Sequence, residues 1–354
     1  MAKPGTSLLV PSVQELANQP ITKVPERYVR PNQDPPFVYD TTYLPIIPVI
    51  DLHKLLCGDA TELEKLDHAC KEWGFFQLIN HEVNPSLVEN VKIGVQKFFN
   101  LPMEEKKLFW QTPEDKEGFG QLFVVSEDQK LDWADMFYIT AFPLHTRNPH
   151  LFPNIPQPFR DNLDTYCLEL KNICIKILGL IAKALEIEKN ELLELFEDLN
   201  QAMRMNYYPT CPQPERVIGL NPHSDSGVLT ILLQVNEMEG LQIRKDGMWV
   251  PIKPLPNAFV INVGDMLEIL TNGIYRSIEH RATVNSEKER ISIAAFHWPE
   301  MNKIVGPVSS LVTPERPAMF KRIGVADYYN GFLSRELQGK SYMDVIRIQN
   351  EVDK

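Results

Sequence analysis

The sequence predicts an α+β protein with a mainly β core, a double-sheet jelly roll or a barrel, carrying a helical N-terminal region and a C-terminal helix. Three observations predict it. After about Gln201, eight short stretches alternate apolar and polar residues with period two. Turn signals such as Asp246-Gly247, Gly264-Asp265 and Asn272-Gly273 separate several of them. Before them, Leu163, Tyr166, Cys167, Leu170, Ile173, Cys174, Ile177, Leu180, Ile181 and Ala184 recur at steps of three and four, the stripe of a long buried scaffold helix.

The elements follow in order. Residues 1–45 are rich in Pro and polar groups and read as an extended arm on the body, with one helix around Val13–Leu16. Residues 46–200 form an N-terminal region. Its first apolar run, Ile46–Ile50, is broken by Pro48 and fits an edge strand. Leu63–Lys71 looks helical, Gly74–Ile79 is a strand and Pro85–Phe99 is again a helix, before the long scaffold helix. Residues 201–300 hold the strand candidates Ala202–Tyr208, Leu229–Val235, Leu241–Arg244, Met248–Pro251, Ala258–Val263, Met266–Leu270, Ser277–Val284 and Arg290–His297. In residues 301–354, Val325–Ile346 is expected to be largely helical and to lie against the barrel mouth.

Composition narrows the function. The chain has 354 residues, 44% of them apolar, enough for one large domain or two closely packed ones. A formal net charge of −11 argues against nucleic acid or an anionic membrane as partner. The five cysteines are widely spaced without CxxC, which fits reduced thiols. No signal-like apolar run, spanning stretch or lipidation motif stands out, so a cytoplasmic monomer acting on a small molecule is expected.

The chemistry gathers at two places. His223-Ser224-Asp225 puts an imidazole and a carboxylate two residues apart, on one face if the segment is extended. Two His and one carboxylate with open positions suit a non-haem iron(II) centre, and His280, in a later strand candidate, is the candidate third ligand. Taken alone, an HxD tripeptide is more often a surface turn. At the second place, Arg290, Ser292, Ala294 and Phe296 share one strand face, while Ile291, Ile293 and Ala295 are expected to face an apolar interlayer. Arg204, Asn206 and Tyr208 alternate the same way. Each face alone reads as exposed strand; together they look like opposite walls of a polar pocket, where a guanidinium and a hydroxyl could grip a carboxylate. No HExxH is present, which argues against a zinc hydrolase.

These residues resemble the plant 2-oxoglutarate/iron(II)-dependent dioxygenases. The likeness is carried by Met205-Asn206-Tyr207-Tyr208-Pro209, Cys211-Pro212-Gln213-Pro214, His223-Ser224-Asp225, Asn272-Gly273, Glu279-His280-Arg281 and Arg290-Ile291-Ser292, with Ile47–Asp51, Glu72–Phe76 and Asn80-His81 upstream. It runs from about Val10 to Ile348. Gly118–Gln121 and Ser126–Asp135 are most similar to the senescence-related-protein-like branch, which includes morphinan alkaloid O-demethylases. The form of core expected with this resemblance is a double-stranded β-helix (jelly roll).

The resemblance implies Fe(2+) on His223, Asp225 and His280, with 2-oxoglutarate and O2 as co-substrates and ascorbate as reductant. It implies that Arg290 and Ser292 clasp the distal carboxylate, with Tyr208 and Asn206 close by. Phe296 matches a position that often stacks on an aromatic substrate; Tyr138, Phe123 and Met136 are further candidates for the substrate wall, each also readable as core packing. The expected reaction hydroxylates or O-demethylates an alkaloid, flavonoid or coumarin-like metabolite, releasing succinate and CO2. A non-turnover binding protein and a non-oxidative condensing enzyme are the alternatives on the same fold. One departure is Glu82, where relatives usually have Gly, which bears on local turn geometry.

Overall fold

A computed structural model describes residues 7–30, 46–112, 115–340 and 342–348. The Pro-rich arm beyond Arg30, residues 31–45, lies outside these residues. The arm's helix α1 (Val13–Ala17) is held to the body by the Gln14 side chain, which donates to Phe99 O at 3.0 Å and accepts from Lys106 Nζ, and by one carboxylate. Asp135 accepts from Ser12 Oγ at 2.6 Å, Val13 N at 2.9 Å and Gln14 N at 2.8 Å.

The N-terminal region runs β1 (Val49–Asp51), α2 (Leu52–Leu56), α3 (Ala60–His68), β2 (Phe75–Ile79), α4 (Pro85–Phe99), α5 (Met103–Lys106), β3 (Gly118–Gly120), β4 (Asp135–Phe142), α6 (Phe159–Ala184) and α7 (Lys189–Leu193). The core follows as β5 (Asn200–Tyr208), β6 (Leu220–His223), β7 (Leu229–Gln234), β8 (Leu241–Lys245), β9 (Met248–Pro251), β10 (Phe259–Val263), α8 (Asp265–Leu270), β11 (His280–Ala282) and β12 (Arg290–Trp298). The chain then forms β13 (Ile304–Val305), β14 (Ile323–Gly324) and α9 (Val325–Leu333).

Two sheets make the jelly roll. The larger runs β1-β2-β10-β7-β12-β5-β4-β3 and the smaller β6-β11-β8-β9. Strands of the N-terminal region therefore extend the same sheet that carries the core. On one face of the larger sheet, Ile291, Ile293, Ala295, Met203 and Met205 join α4 and α6 in one buried cluster. The opposite face, with Arg290, Ser292, Asn206 and Tyr208, looks across a cavity to the smaller sheet. This corrects one expectation: the apolar face of β12 meets the helices and its polar face looks into the space between the sheets, where Phe75, Val260, Leu241 and Ile243 form a separate apolar cluster.

Three further differences have physical reasons. Met266–Leu270 is helix α8, not a strand. Its side chains are buried all round, a pattern shared by short strands and short buried helices. Its first turn is fixed by Asp265 N donating to Asp225 O at 2.7 Å and Met266 N to Gly227 O at 2.9 Å. Strand β6 was hidden by Pro222, which is tolerated because β6 lies at a sheet edge. The C-terminal segment is α-helical only to Leu333, with one further 3-10 turn at Met343–Val345. Beyond Leu333, Asn221 Nδ2 donates to Leu337 O at 2.8 Å and Gly339 N to Pro222 O at 2.9 Å, tying irregular backbone to β6. The Glu82 departure is visible too: it takes φ 66°, a left-handed conformation that suits glycine, while its carboxylate reaches Lys176 Nζ at 3.0 Å.

Candidate active site

Antiparallel pairing of β6 with β11 sets His280 directly opposite His223, with ring centroids 4.3 Å apart. Asp225 follows just after β6. Its Oδ1 lies 3.6 Å from His223 Nε2 and 3.7 Å from His280 Nε2. Among the described residues this is the one group of three such side chains whose ligand atoms fall within 4.8 Å of one another.

Neighbouring groups aim these atoms. His223 Nδ1 lies 2.7 Å from Asn221 O and His280 Nδ1 lies 3.1 Å from Ile278 O. A carbonyl only accepts, so both Nδ1 atoms carry the proton and both Nε2 lone pairs face the cluster. Asp225 Oδ2 accepts from Thr230 Oγ1 at 2.6 Å and Asn262 Nδ2 at 2.8 Å, leaving Oδ1 toward the imidazoles. Burial would raise the Asp225 carboxyl, but His280, His223 and the Thr230 hydroxyl outweigh it and hold it well below the usual range. Burial, helped by His223, lowers His280 to about 4, so it stays neutral and able to ligate. Two imidazoles that turn Nε2 toward the cluster and a carboxylate on one side of a cavity fit a ferrous ion with open positions.

A polar chamber lies on one side of this cluster. Arg290 is 1% exposed and, among the described residues, forms no ion pair with a carboxylate. Its Nη2 donates to Gln234 Oε1 at 3.0 Å and its Nη1 to Ser292 Oγ at 3.4 Å, while Nε has no partner. The guanidinium sits 5.2 Å from the Tyr208 ring centroid. Asn206 Nδ2 reaches Ser292 Oγ at 3.5 Å and its Oδ1 is unpartnered. A buried cation lacking a counter-charge is costly, so the chamber is built for an anion that enters from outside. Gly240 makes room for the arginine: a Cβ there would come within 2.9 Å of Arg290 Cδ.

An aromatic chamber lies on the other side. It shares Arg204, His223, Asp225 and Phe296 with the polar one, and adds Phe123, Tyr138, Trp298, Tyr329 and Phe332. Tyr138 and Tyr329 join β4 to α9 through an O···O contact of 2.9 Å. Phe123 packs edge-on against Phe332, at 5.7 Å.

Of the residues singled out in the sequence, His223, Asp225, His280, Arg290, Ser292, Tyr208 and Asn206 meet around the first cavity, and Phe296, Tyr138 and Phe123 line the second. Met136 lines neither; it is 1% exposed in the main core cluster. Thr230, Asn262, Gln234 and the α9 residues escaped the sequence reading. Trp298 was within reach, since it continues the period of Arg290, Ser292 and Phe296.

Comparison with known proteins agrees with this geometry. Residues 199–299 match the 2OG-Fe(II) oxygenase superfamily, and residues 47–155 match the non-haem dioxygenase in morphine synthesis N-terminal family. Protein SRG1 of Arabidopsis thaliana is 59% identical, over 97% of this chain and 98% of the relative. Oxoglutarate-dependent flavonoid 7-O-demethylase 1 of Ocimum basilicum is 56% identical (98% and 93%), and codeine O-demethylase of Papaver somniferum 51% identical (98% and 99%). The crystal structure of JOX2 in complex with 2OG, Fe and JA superposes with a TM-score of 0.87 at 34% identity, covering 96% of this chain and 98% of that one. No described helix is long and apolar enough to cross a membrane. The chain therefore belongs to the 2OG-Fe(II) oxygenase superfamily, in the branch that holds SRG1 and the morphinan O-demethylases, and is a 2-oxoglutarate-dependent dioxygenase using Fe(2+), 2-oxoglutarate and O2.

Proposed function

We propose that the chain hydroxylates or O-demethylates a small aromatic plant metabolite, an alkaloid, flavonoid or coumarin-like compound, with release of succinate and CO2. One observation carries this reading: the His-Asp-His cluster stands between a cationic polar chamber and an aromatic one. The flavonoid and codeine O-demethylases among the relatives favour demethylation.

In this reading His223 and His280 hold iron through Nε2 and Asp225 through Oδ1. Bound iron supplies the activation of dioxygen coupled to oxidative decarboxylation of 2-oxoglutarate. Arg290 and Ser292 take the distal carboxylate, and Tyr208 and Asn206 border it. Fixing that end orients the keto acid and removes rotational freedom before reaction. Phe296, Tyr138 and Phe123 keep water out and present one substrate carbon to the metal face. Hydroxylation of an O-methyl carbon gives a hemiacetal, whose C–O bond breaks to release formaldehyde and leave the oxygen protonated. Ascorbate serves as reductant.

The test is incubation with iron, ascorbate, 2-oxoglutarate and a panel of methoxylated flavonoids, coumarins and alkaloids. The expected result is succinate release matched by loss of CH2 or gain of one oxygen in one member, abolished in His223→Ala and Asp225→Ala. Full succinate release in either variant would reject the ligand assignment.

A further inference from the structure

A buried carboxylate behind the His-Asp-His cluster belongs to neither chamber. Glu268 lies on α8, the helix whose first turn is bonded to Asp225 O through Asp265 N. Its Oε2 accepts from Ser277 N at 2.7 Å and from Lys340 Nζ at 2.7 Å. Lys340 Nζ also donates to Ser277 O at 2.6 Å, which closes Glu268, Ser277 and Lys340 into a ring of hydrogen bonds. Arg347 Nη2 adds a longer bond to Glu268 Oε1, at 3.4 Å.

The two ends of this ring lead to different imidazoles. Ser277 precedes Ile278, whose carbonyl accepts from His280 Nδ1 at 3.1 Å. Lys340 follows Gly339, which brackets His223: Gly339 N donates to Pro222 O at 2.9 Å and Ser224 N donates to Gly339 O at 3.4 Å. Direct pairing between the two ligand strands is slight by comparison. Strand β11 has three residues, and its register against β6 shifts between His280 and Ala282. So short and irregular a ladder constrains the distance between the rings weakly. The ring through Glu268 and Lys340 supplies a second connection, and it runs through the C-terminal segment.

We propose that Glu268 and Lys340 form a clamp that sets the spacing of His223 and His280, so that the C-terminal segment takes part in metal binding. This rests on the reading that the cluster binds a divalent metal. Lys340 is a positioning residue: its ammonium acts through the backbone beside each imidazole, on one side by Gly339 and on the other by Ser277.

The test uses Co2+, whose visible absorption follows its coordination, titrated into the full chain with affinity read by competition against a chelator. Lys340→Met is expected to weaken Co2+ binding about tenfold and to alter the absorption of the bound ion. Lys340→Arg, which keeps donors for both oxygens, should recover most of the affinity. Glu268→Gln should weaken binding to a similar degree, and the double variant Glu268→Gln/Lys340→Met no further, because both changes open the same ring. The control is Lys65→Met, which breaks the Lys65–Glu62 pair of 3.1 Å on α3, away from the cluster, and should leave affinity and spectrum as in wild type. If Lys340→Met does not fold, Lys340→Gln carries the same reading. Unchanged affinity and absorption in the folded Lys340 variant overturn the proposal. So does an equal loss in Lys65→Met, or additive losses in the double variant. Failure of the metal reading itself would appear differently, as absence of Co2+ binding by wild type, and would remove the clamp with it.

Discussion

The two chambers flanking the His-Asp-His cluster are built differently. The polar chamber draws its key groups from alternate positions of two adjacent strands: Arg290 and Ser292 on β12, Asn206 and Tyr208 on β5. The aromatic chamber is assembled from separate stretches: the loop at Phe123, strand β4 at Tyr138, the end of β12 and helix α9. The polar chamber, proposed for the co-substrate, is thus part of the sheet, whereas the aromatic chamber, proposed for the substrate, is a joint between sheet, loop and C-terminal helix. One set of changes should therefore alter co-substrate binding alone, and another substrate choice alone.

Arg290→Ala is expected to have the largest effect. Removing one partner of a buried charge pair costs about 2–5 kcal/mol, or roughly thirtyfold or more in 2-oxoglutarate Kd. Calorimetry should show the loss with the affinity for the aromatic ligand little changed; an unchanged 2-oxoglutarate Kd would break the division between the chambers.

His297 tests what the chambers share, because it lies on the helix side of β12, which walls both. Its Nδ1 donates to Leu229 O at 3.1 Å and its Nε2 faces Gln201 Nε2 at 2.9 Å. Burial lowers it from an ordinary value of 6.5 to about 4. The unfolded chain binds this proton first as the medium acidifies. The stability contribution is thus complete above pH 6.5 and is lost as pH falls toward 4, by about 3 kcal/mol across the window. In chemical denaturation the loss should shrink in His297→Gln. An equal acid loss in the variant would exclude His297 as its source.

Thr230→Val removes one of the two donors to Asp225 Oδ2. Loss of such a supporting bond typically weakens metal affinity about 10- to 100-fold, measurable by competition with a chelator, and should lower turnover of every substrate in proportion. Phe123→Ala, which removes a ring that lines the aromatic chamber and not the polar one, should act more narrowly. Losing the ring face is worth about 1 kcal/mol beyond lost area, so aromatic affinity falls several-fold while the 2-oxoglutarate Kd holds. If it falls equally for both ligands, the chambers are not separate sites.

The contrast also explains what could be read from the sequence. Arg290/Ser292 and Arg204/Asn206/Tyr208 show themselves because period two in a strand places chemistry at fixed spacing. His280 could be named as a ligand candidate, but its convergence depends on β6, whose Pro222 disguised the strand. Asp265 and the buried run after it read equally as strand or helix until the hydrogen bonds to Asp225 and Gly227 are known. On the aromatic side, Phe296, Tyr138 and Phe123 were legible as aromatic residues but not as one wall. Met136 shares the strand face of Tyr138 yet stops in the core. Tyr329 and Phe332 were beyond reach, because only the packing of α9 over the cluster brings them there.

Anaerobic calorimetric titration of Fe(II) into the full chain and His280→Ala, followed by 2-oxoglutarate, is the sharpest test of the His-Asp-His centre. One ferrous ion per wild-type chain, 2-oxoglutarate binding that requires it, and loss of both when the second imidazole is removed are the expected results. Undiminished iron and 2-oxoglutarate binding by His280→Ala would exclude that centre.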